Sequence, residues 1–491
     1  MILQNKFYLI LQATLFIAAV FCKKQPQGKL LQIVEIFRHG ARYRIDNSSY
    51  TDNNQINYGQ LTAQGQRMHF ILGKTLYDRY SIPLNIPKTY NHTFIYVKST
   101  NYDRTIMSAA SQLAGIFPLQ YGQKIFNVSD QFLIPPFQNV SKINETLFAL
   151  EGGFQPIPIH VRDHKDEKQL LGYMDSCSKA PEWESENYKS QEWIRIQKEY
   201  QDIIDALIED EYFGLKNDAN LFDISNLVDT LISEKWFGDE EKNKEISEHV
   251  DGFLLSQEQL VLPENFNRMW VQMNLIYTSV LHLTLYKTPQ QKKTSVTPFF
   301  TELLNYFNNY INDKEYYRWI MLSAHDTTIA MISQGMNFTS WECLEKVKLQ
   351  KNIPSNCIYT YPGFSSNIIF ELYQDKNNEH FIKVLYNGTE QNICGSSKKY
   401  CYLKEFNQAV KYSTVSDYDL ECGNYNNDNQ ILGLTQSKQQ KIETKNQIVL
   451  SCLVILLLIL LITSLIFNYL QRRKILTLSL NQQQRVDYST I

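Results

Sequence analysis

The sequence predicts an α/β protein with a smaller inserted helical lobe and a single C-terminal transmembrane helix. Three observations carry that prediction. Apolar, β-branched runs around Val34-Glu35-Ile36-Phe37, Phe94-Ile95-Tyr96-Val97 and Trp319–Ala324 read as buried strands, each ending at a polar turn. From residue 136 to about 295 strand patterns thin out and helical faces replace them. Ile448 to Leu470 is uncharged and strongly apolar, and ~20 such residues suffice to cross a bilayer.

At 491 residues the chain can bury a large core. A net charge of −3 supplies no global basic field, so no nucleic-acid partner is expected. The start reads as a secretory signal over residues 1–22: Lys6, an apolar run from Phe7 to Phe21, and a small-residue cleavage site at Val20-Phe21-Cys22.

The first strand stops at Arg38-His39-Gly40, with Arg42 two residues on. A strand ending in Gly is a tight turn at the carboxyl edge of a sheet, where open α/β folds place their sites. Burying two positive charges needs a strong anion, and the planar fork of Arg fits phosphate. A neutral imidazole nitrogen between the forks can attack the phosphorus they hold. Next comes Gly59-Gln60-Leu61-Thr62-Ala63-Gln64-Gly65, where Thr62 caps a helix expected from Gln64 to Tyr77. After the second strand, Lys98-Ser99-Thr100 opens a loop, and Arg104 falls in the first turn of a helix expected to reach Leu113 and end at Gly115.

In the inserted region Trp193, Ile196, Tyr200, Ile203, Ile204 and Leu207 recur as one helix face, as do Phe266, Met269, Trp270, Met273, Ile276 and Val280. His160, within a Pro-rich segment, is read as structural. The strand Trp319–Ala324 then repeats the first pattern, with His325-Asp326-Thr327-Thr328 at its end. A carboxyl beside an imidazole there can protonate a leaving oxygen. Phe364 to Tyr373 and Phe381 to Tyr386 suit a hairpin.

Arg38-His39-Gly40-Ala41-Arg42 after an apolar strand resembles the signature of the histidine phosphatase superfamily, in its acid phosphatase branch. The segment around Leu61-Thr62, the run Arg104-Thr105-Ile106-Met107-Ser108-Ala109 and His325-Asp326 resemble the same family, over about residues 30 to 422. Arg44 stands where the family has Pro, which leaves the turn less rigid and adds a charge near the mouth. The resemblance implies a sandwich around a mainly parallel sheet, with residues 23–135 and 296–422 forming the core and 136–295 the helical lobe. It implies His39 as nucleophile, Asp326 as proton donor, and Arg38, Arg42, Arg104 and His325 as phosphate ligands, with no metal or other cofactor. The expected activity is hydrolysis of small phosphate monoesters through a phosphohistidine. Phytase-like or lysophospholipid phosphatase activity in the same fold is the enzymatic alternative, and a surface receptor on a retired phosphatase fold the non-enzymatic one.

Within the family the plan most resembles the lysosomal, membrane-anchored form. Residues 423–447 read as a polar stalk, 448–470 as the span, Arg472-Arg473-Lys474 as a positive-inside signal, and 471–491 as a cytosolic tail. Tyr488-Ser489-Thr490-Ile491 fits an adaptor-sorting pattern that leads to endolysosomal vesicles. A homodimer is compatible with the resemblance. Sequons begin at Asn47, Asn91, Asn127, Asn139, Asn144, Asn337 and Asn387, all before the span. Six ectodomain cysteines allow 15 pairings. Cys394 with Cys401 and Cys343 with Cys357 each bracket a short loop, and Cys177 with Cys422 then resembles the family's long-range bridge.

Overall fold

The computed structural model describes residues 26–45, 58–126, 133–140, 147–209, 213–236, 266–349, 353, 357–395, 398–424, 461–467 and 469–470. The expected signal, nearly all of the stalk, the first half of the expected span and the tail with Tyr488 lie outside them. The chain divides into two units, Met1–Cys422 and Gly423–Ile491. In the second, residues 461–467 and 469–470 are helical. Among the described residues no helix is long and apolar enough to cross a membrane.

The first unit is built on one sheet. Its strands are β1 (Gly28–Arg38), β2 (Ile95–Ser99), β3 (His160–Val161), β4 (Trp319–Ala324), β5 (Asn367–Asp375), β6 (His380–Tyr386), β7 (Thr389–Glu390) and β8 (Cys401–Tyr402). Their order is β3-β2-β4-β1-β5-β6-β7, with β8 also on β6. From β3 to β1 the neighbours are parallel. From β1 onward every pairing is antiparallel. The sheet is therefore mixed, which corrects the mainly parallel expectation. The link between β5 and β6 spans four residues, far too short for the crossover that parallel neighbours need.

Period-two alternation sends β1 side chains to both faces. On one face Val34 and Ile36 pack with Ile320, Leu322 and Phe370. That face is covered by Phe299, Phe300, Leu303 and Phe307 of a helix at Pro289–Ile311, and by Ile329 and Ile332 of a helix at Asp326–Gly335. On the other face Ile33 and Phe37 pack with Ile95, Val97, Trp319 and Met321 under two helices, α1 (Ala63–Leu84) and α2 (Asp103–Ile116). Each fully buried side chain of this size contributes roughly 1.5–3 kcal/mol. α1 runs seven residues beyond its expected end at Tyr77. α2 ends at Ile116, one residue past the expected Gly115, where a Cβ would meet the Phe70 carbonyl oxygen of α1 at 2.2 Å. The role of Gly115 is close helix packing, matched by Gly73, whose Cβ would meet the Gln112 carbonyl oxygen at 2.0 Å.

The described residues between β3 and β4 form helices α3 (Lys168–Leu171), α4 (Ala180–Tyr188), α5 (Gln191–Glu199), α6 (Gln201–Glu209), α7 (Leu221–Trp236), α8 (Phe266–Leu285) and α9 (Pro289–Ile311), joined by turns and loops. Trp193, Ile196, Ile204, Leu207, Leu227, Leu231, Met273 and Ile276 form a separate core, and it includes Ala41 and Phe364 from the sheet edge. After β4 come α10 (Asp326–Gly335), α11 (Trp341–Lys348), α12 (Leu403–Ser413) and α13 (Tyr418–Cys422). All three expected disulfides are present: Cys177–Cys422, Cys343–Cys357 and Cys394–Cys401. The first joins the segment before α4 to the end of α13 across 245 residues.

Candidate active site

β1 and β4 are parallel neighbours in register from Ile33 opposite Trp319 to Arg38 opposite Ala324. Their ends therefore deliver His39 and His325 to the same edge, with ring centroids 5.7 Å apart. His39 leaves the strand with its backbone N–H donating to the Ala324 carbonyl at 3.0 Å. Gly40 follows because nothing larger fits: a Cβ would lie 2.4 Å from the Gly65 carbonyl oxygen. That contact explains the Gly59–Gly65 segment. Thr62 caps α1 by accepting the Gly65 N–H at 3.0 Å, and its hydroxyl donates to the Ala41 carbonyl at 3.0 Å. The helix start is thus tied to the turn that carries the site.

His39 is buried, and its Nδ1 lies 2.8 Å from the Gly40 carbonyl oxygen. A carbonyl only accepts, so Nδ1 carries the proton and the lone pair is on Nε2. Burial, followed by the charges of Arg38, Arg104 and Arg42, pushes this imidazole well below its ordinary pKa and keeps it neutral.

Three guanidinium groups surround it. Arg38 is fully buried, with Nη1 donating to the Pro362 carbonyl at 2.8 Å and to the Tyr361 hydroxyl, and Nη2 3.0 Å from Asp326 Oδ2. Its Cζ lies 4.2 Å from the centre of the Phe364 ring. Arg42 donates from Nη2 to both carboxylate oxygens of Asp229 at 2.8 Å and from Nη1 to Ser233 Oγ at 2.9 Å. Arg104 stacks over Tyr102 at 4.5 Å. Burial, then the nearby charge of Arg42, lowers the Arg104 pKa to about 10. In all three arginines Nε is buried and has no hydrogen-bond partner among the described residues. Buried donors of this kind are costly unless something accepts from them.

His325 precedes α10, and Asp326 is that helix's first residue. His325 Nε2 is 2.9 Å from Thr100 Oγ1. Thr105 gives its hydroxyl proton to backbone carbonyls, so Thr100 donates to Thr105 Oγ1 and accepts from His325 Nε2–H. Burial first, then Arg104, lowers the His325 pKa to about 3. Burial alone would raise Asp326, but Arg38 and Arg42 overcome it and hold the carboxyl below its ordinary pKa. Its Oδ1 accepts the Thr327 N–H at 2.8 Å, and the Tyr277 hydroxyl donates to Oδ2 at 3.4 Å.

The edge thus brings together all six residues singled out in the sequence. It also adds Asp229, Ser233, Tyr277 and Tyr361, which sequence patterns did not mark. His160 is exposed and stacked on Tyr96. Arg44 is buried, with its guanidinium carbon 5.6 Å from the centre of the Tyr58 ring. Among the described residues no group of three His, Cys, Asp or Glu could hold a metal ion.

A profile of the histidine phosphatase superfamily (branch 2) matches residues 29–387. The chain belongs to this superfamily. Prostatic acid phosphatase of Mus musculus is 25% identical over 424 residues, covering 82% of this chain and 91% of that one. Lysosomal acid phosphatase of Rattus norvegicus is 24% identical over 410 residues, 81% of each chain. The solved phytase from Citrobacter braakii has the same fold, with a TM-score of 0.50 at 14% identity, over 80% of this chain and 99% of that one. The expectation of a histidine acid phosphatase family is met, and this histidine phosphatase carries its motif at the edge shared by β1 and β4.

Proposed function

We propose that this histidine phosphatase hydrolyses phosphate monoesters at acid pH through a phosphohistidine on His39. The observation that carries the reading is a neutral imidazole, its lone pair on Nε2, among three guanidinium groups whose buried Nε–H donors lack partners among the described residues. Those donors fit phosphoryl oxygens and stabilise the charge that builds up in the transition state. His325 lies at the same edge, where its Nε2–H donates to Thr100 Oγ1 in the empty site and reaches a phosphoryl oxygen only by leaving that bond or sharing its proton.

In the first step His39 Nε2 forms a bond to phosphorus while the ester P–O bond breaks. The leaving alkoxide takes the proton of Asp326. In the empty site Asp326 is ionised and paired with Arg38. A bound phosphate gives Arg38 another anion to pair with and sets its own negative charge beside Asp326. Both changes favour the protonated carboxyl. In the second step water attacks phosphorus, its proton goes to the Asp326 carboxylate, and His39 leaves as neutral imidazole. The test is turnover of alkyl, aryl, inositol and lysolipid phosphates by the purified chain from pH 3 to 8, with and without chelator, with rapid-quench trapping of phosphohistidine. Activity on the acid side that survives chelation is expected; no phosphoenzyme on any substrate overturns the reading.

The organisation proposed alongside is a phosphatase core of residues 23–135 and 296–422 with a helical lobe at 136–295. Residues 1–22 act as a signal, and 448–470 span the membrane with the tail in the cytosol. Lysosomal or endolysosomal delivery is proposed through the Tyr488 motif. This is supported by the charge pattern around the apolar run, by the disulfides, and by the exposure of Asn91, Asn139, Asn337 and Asn387. A glycosidase-sensitive mass shift, with the tail alone digested by protease on sealed vesicles, is expected; an unglycosylated or fully digested chain overturns it.

A further inference from the structure

The Arg42–Asp229 contact lies at the proposed phosphate site but has no place in the chemistry above. Asp229 sits on α7, one turn before Ser233, so both side chains share a face of that helix. They engage one guanidinium: Asp229 takes Nη2 through both carboxylate oxygens at 2.8 Å, and Ser233 takes Nη1 at 2.9 Å, with the Tyr43 carbonyl at 3.2 Å. Only Nε of Arg42 is left without a partner among the described residues. The neighbouring Leu227, Val228, Leu231 and Ile232 are buried in the lobe core, so the face that holds Arg42 is anchored by the lobe's own packing.

A surface ion pair would contribute little. This one is different, because the Arg42 side chain is 3% exposed and that of Asp229 is 19% exposed. It also places a fixed negative charge beside the groups that would bind an anion. An arginine free to follow the substrate binds phosphate in any pose. An arginine clamped beforehand contributes chiefly where its remaining donor meets charge that develops in the transition state.

We propose that Asp229, assisted by Ser233, is a positioning residue: the helical lobe uses it to hold Arg42 in the orientation that serves phosphoryl transfer rather than phosphate binding. The proposal rests on the reading of Arg38, Arg42 and Arg104 as the phosphate cradle. Its consequence is a trade between ground-state affinity and turnover, set from outside the sheet.

The test is Asp229→Asn in the full chain, which keeps the shape and removes the charge. Inhibition by inorganic phosphate and kcat on a phenyl phosphate ester are measured together. One negative charge removed from a partly buried anion site should tighten the Ki for phosphate about tenfold. Loss of the clamp should lower kcat, also by about tenfold. A residue that merely supports the fold would weaken both, so a weaker or unchanged Ki, or an unchanged kcat, overturns the proposal. Ser233→Ala carries the test if Asp229→Asn does not fold. It frees Nη1 without altering charge, so kcat should fall about fivefold, the size of one hydrogen bond, with Ki unchanged; an unchanged kcat overturns the proposal. Absence of turnover in the unaltered chain defeats the reading of the cradle instead, and is seen before any variant is made.

Discussion

β1 and β4 lie side by side, run in the same direction and are each followed by a histidine, yet the two imidazoles are held in opposite tautomers. His39 gives its Nδ1 proton to a backbone carbonyl and keeps a lone pair on Nε2. His325 gives its Nε2 proton to Thr100 and has no lone pair there. Burial and the arginines lower both pKa values, so charge does not separate them. What separates them is the acceptor each ring finds: a carbonyl one residue on, or a hydroxyl already committed to Thr105. The same strand-then-His pattern thus leaves an Nε2 lone pair in one case and an Nε2–H in the other, and local hydrogen bonding makes the difference.

The largest effect should come from the nucleophile. His39→Ala removes the Nε2 lone pair proposed to attack phosphorus, and turnover of every phosphomonoester should fall by at least about 10⁴-fold. Rapid-quench labelling should find no phosphoenzyme. A labelled phosphoenzyme surviving in this variant would mean that the comparison has the two histidines reversed.

Asp326→Asn comes next and acts on the other strand end. It keeps the shape and removes the proton. The first-step rate should drop by about 10²–10⁴-fold for an alkyl phosphate, whose alkoxide leaves poorly, and by far less for nitrophenyl phosphate. Single-turnover quench isolates that step, since Asp326 is also the proposed base of the second. Equal losses for both esters would remove Asp326 from the donor role.

Thr100→Val sharpens the contrast itself. It deletes the acceptor that sets the His325 tautomer and adds a methyl group of similar size. The ring is then free to take either tautomer, and its Nε2–H, no longer held by Thr100, loses its fixed orientation beside the proposed phosphate site. The expected cost is about tenfold in kcat, near the value of one well-placed hydrogen bond to an ionic partner. Unchanged kinetics would show that Thr100 does not hold the ring in the working enzyme.

Much of this was legible in the chain. β1, β2 and β4 are largely apolar runs, and the six residues at their edge fall within short motifs at strand ends or in the first turn of a helix. Asp229 and Ser233 were not legible. On α7 the apolar positions Leu227, Leu231 and Val228 mark the buried face, and a polar pair spaced by four reads as solvent-facing. Only tertiary contact shows that it faces Arg42. Tyr277 and Tyr361 were hidden for the same reason, being aromatics of ordinary spacing that meet Asp326 and Arg38 through the fold. The antiparallel half of the sheet was half legible. The four-residue link forces β5 against β6, whereas nothing local says that β5 runs against β1.

The smallest effect on activity, and a separate one on stability, concerns what holds the two strand ends in register. Glu35 of β1 is fully buried on the α1–α2 face. It accepts from Trp319 Nε1 of β4 at 3.2 Å and from Gln112 Nε2 of α2 at 2.7 Å. Burial raises its pKa to about 7 despite these donors. Below the unfolded pKa of 4.5 both states hold the proton and the full stability is present. As pH rises toward 7 the unfolded chain ionises first, so stability falls, by about 3 kcal/mol over the whole window. Buried histidines act in the opposite sense. His69 and His325, lowered to about 4 and about 3, cost stability as pH falls below 6.5. Glu35→Gln mimics the protonated state. It should leave turnover within about twofold and remove the loss on the neutral side, so that urea unfolding shows the variant gaining on the parent as pH rises from 4.5 to 7. Parallel stability profiles for the two proteins across that window would show that Glu35 is ionised in the fold, and that the two strand ends are held together by a buried carboxylate.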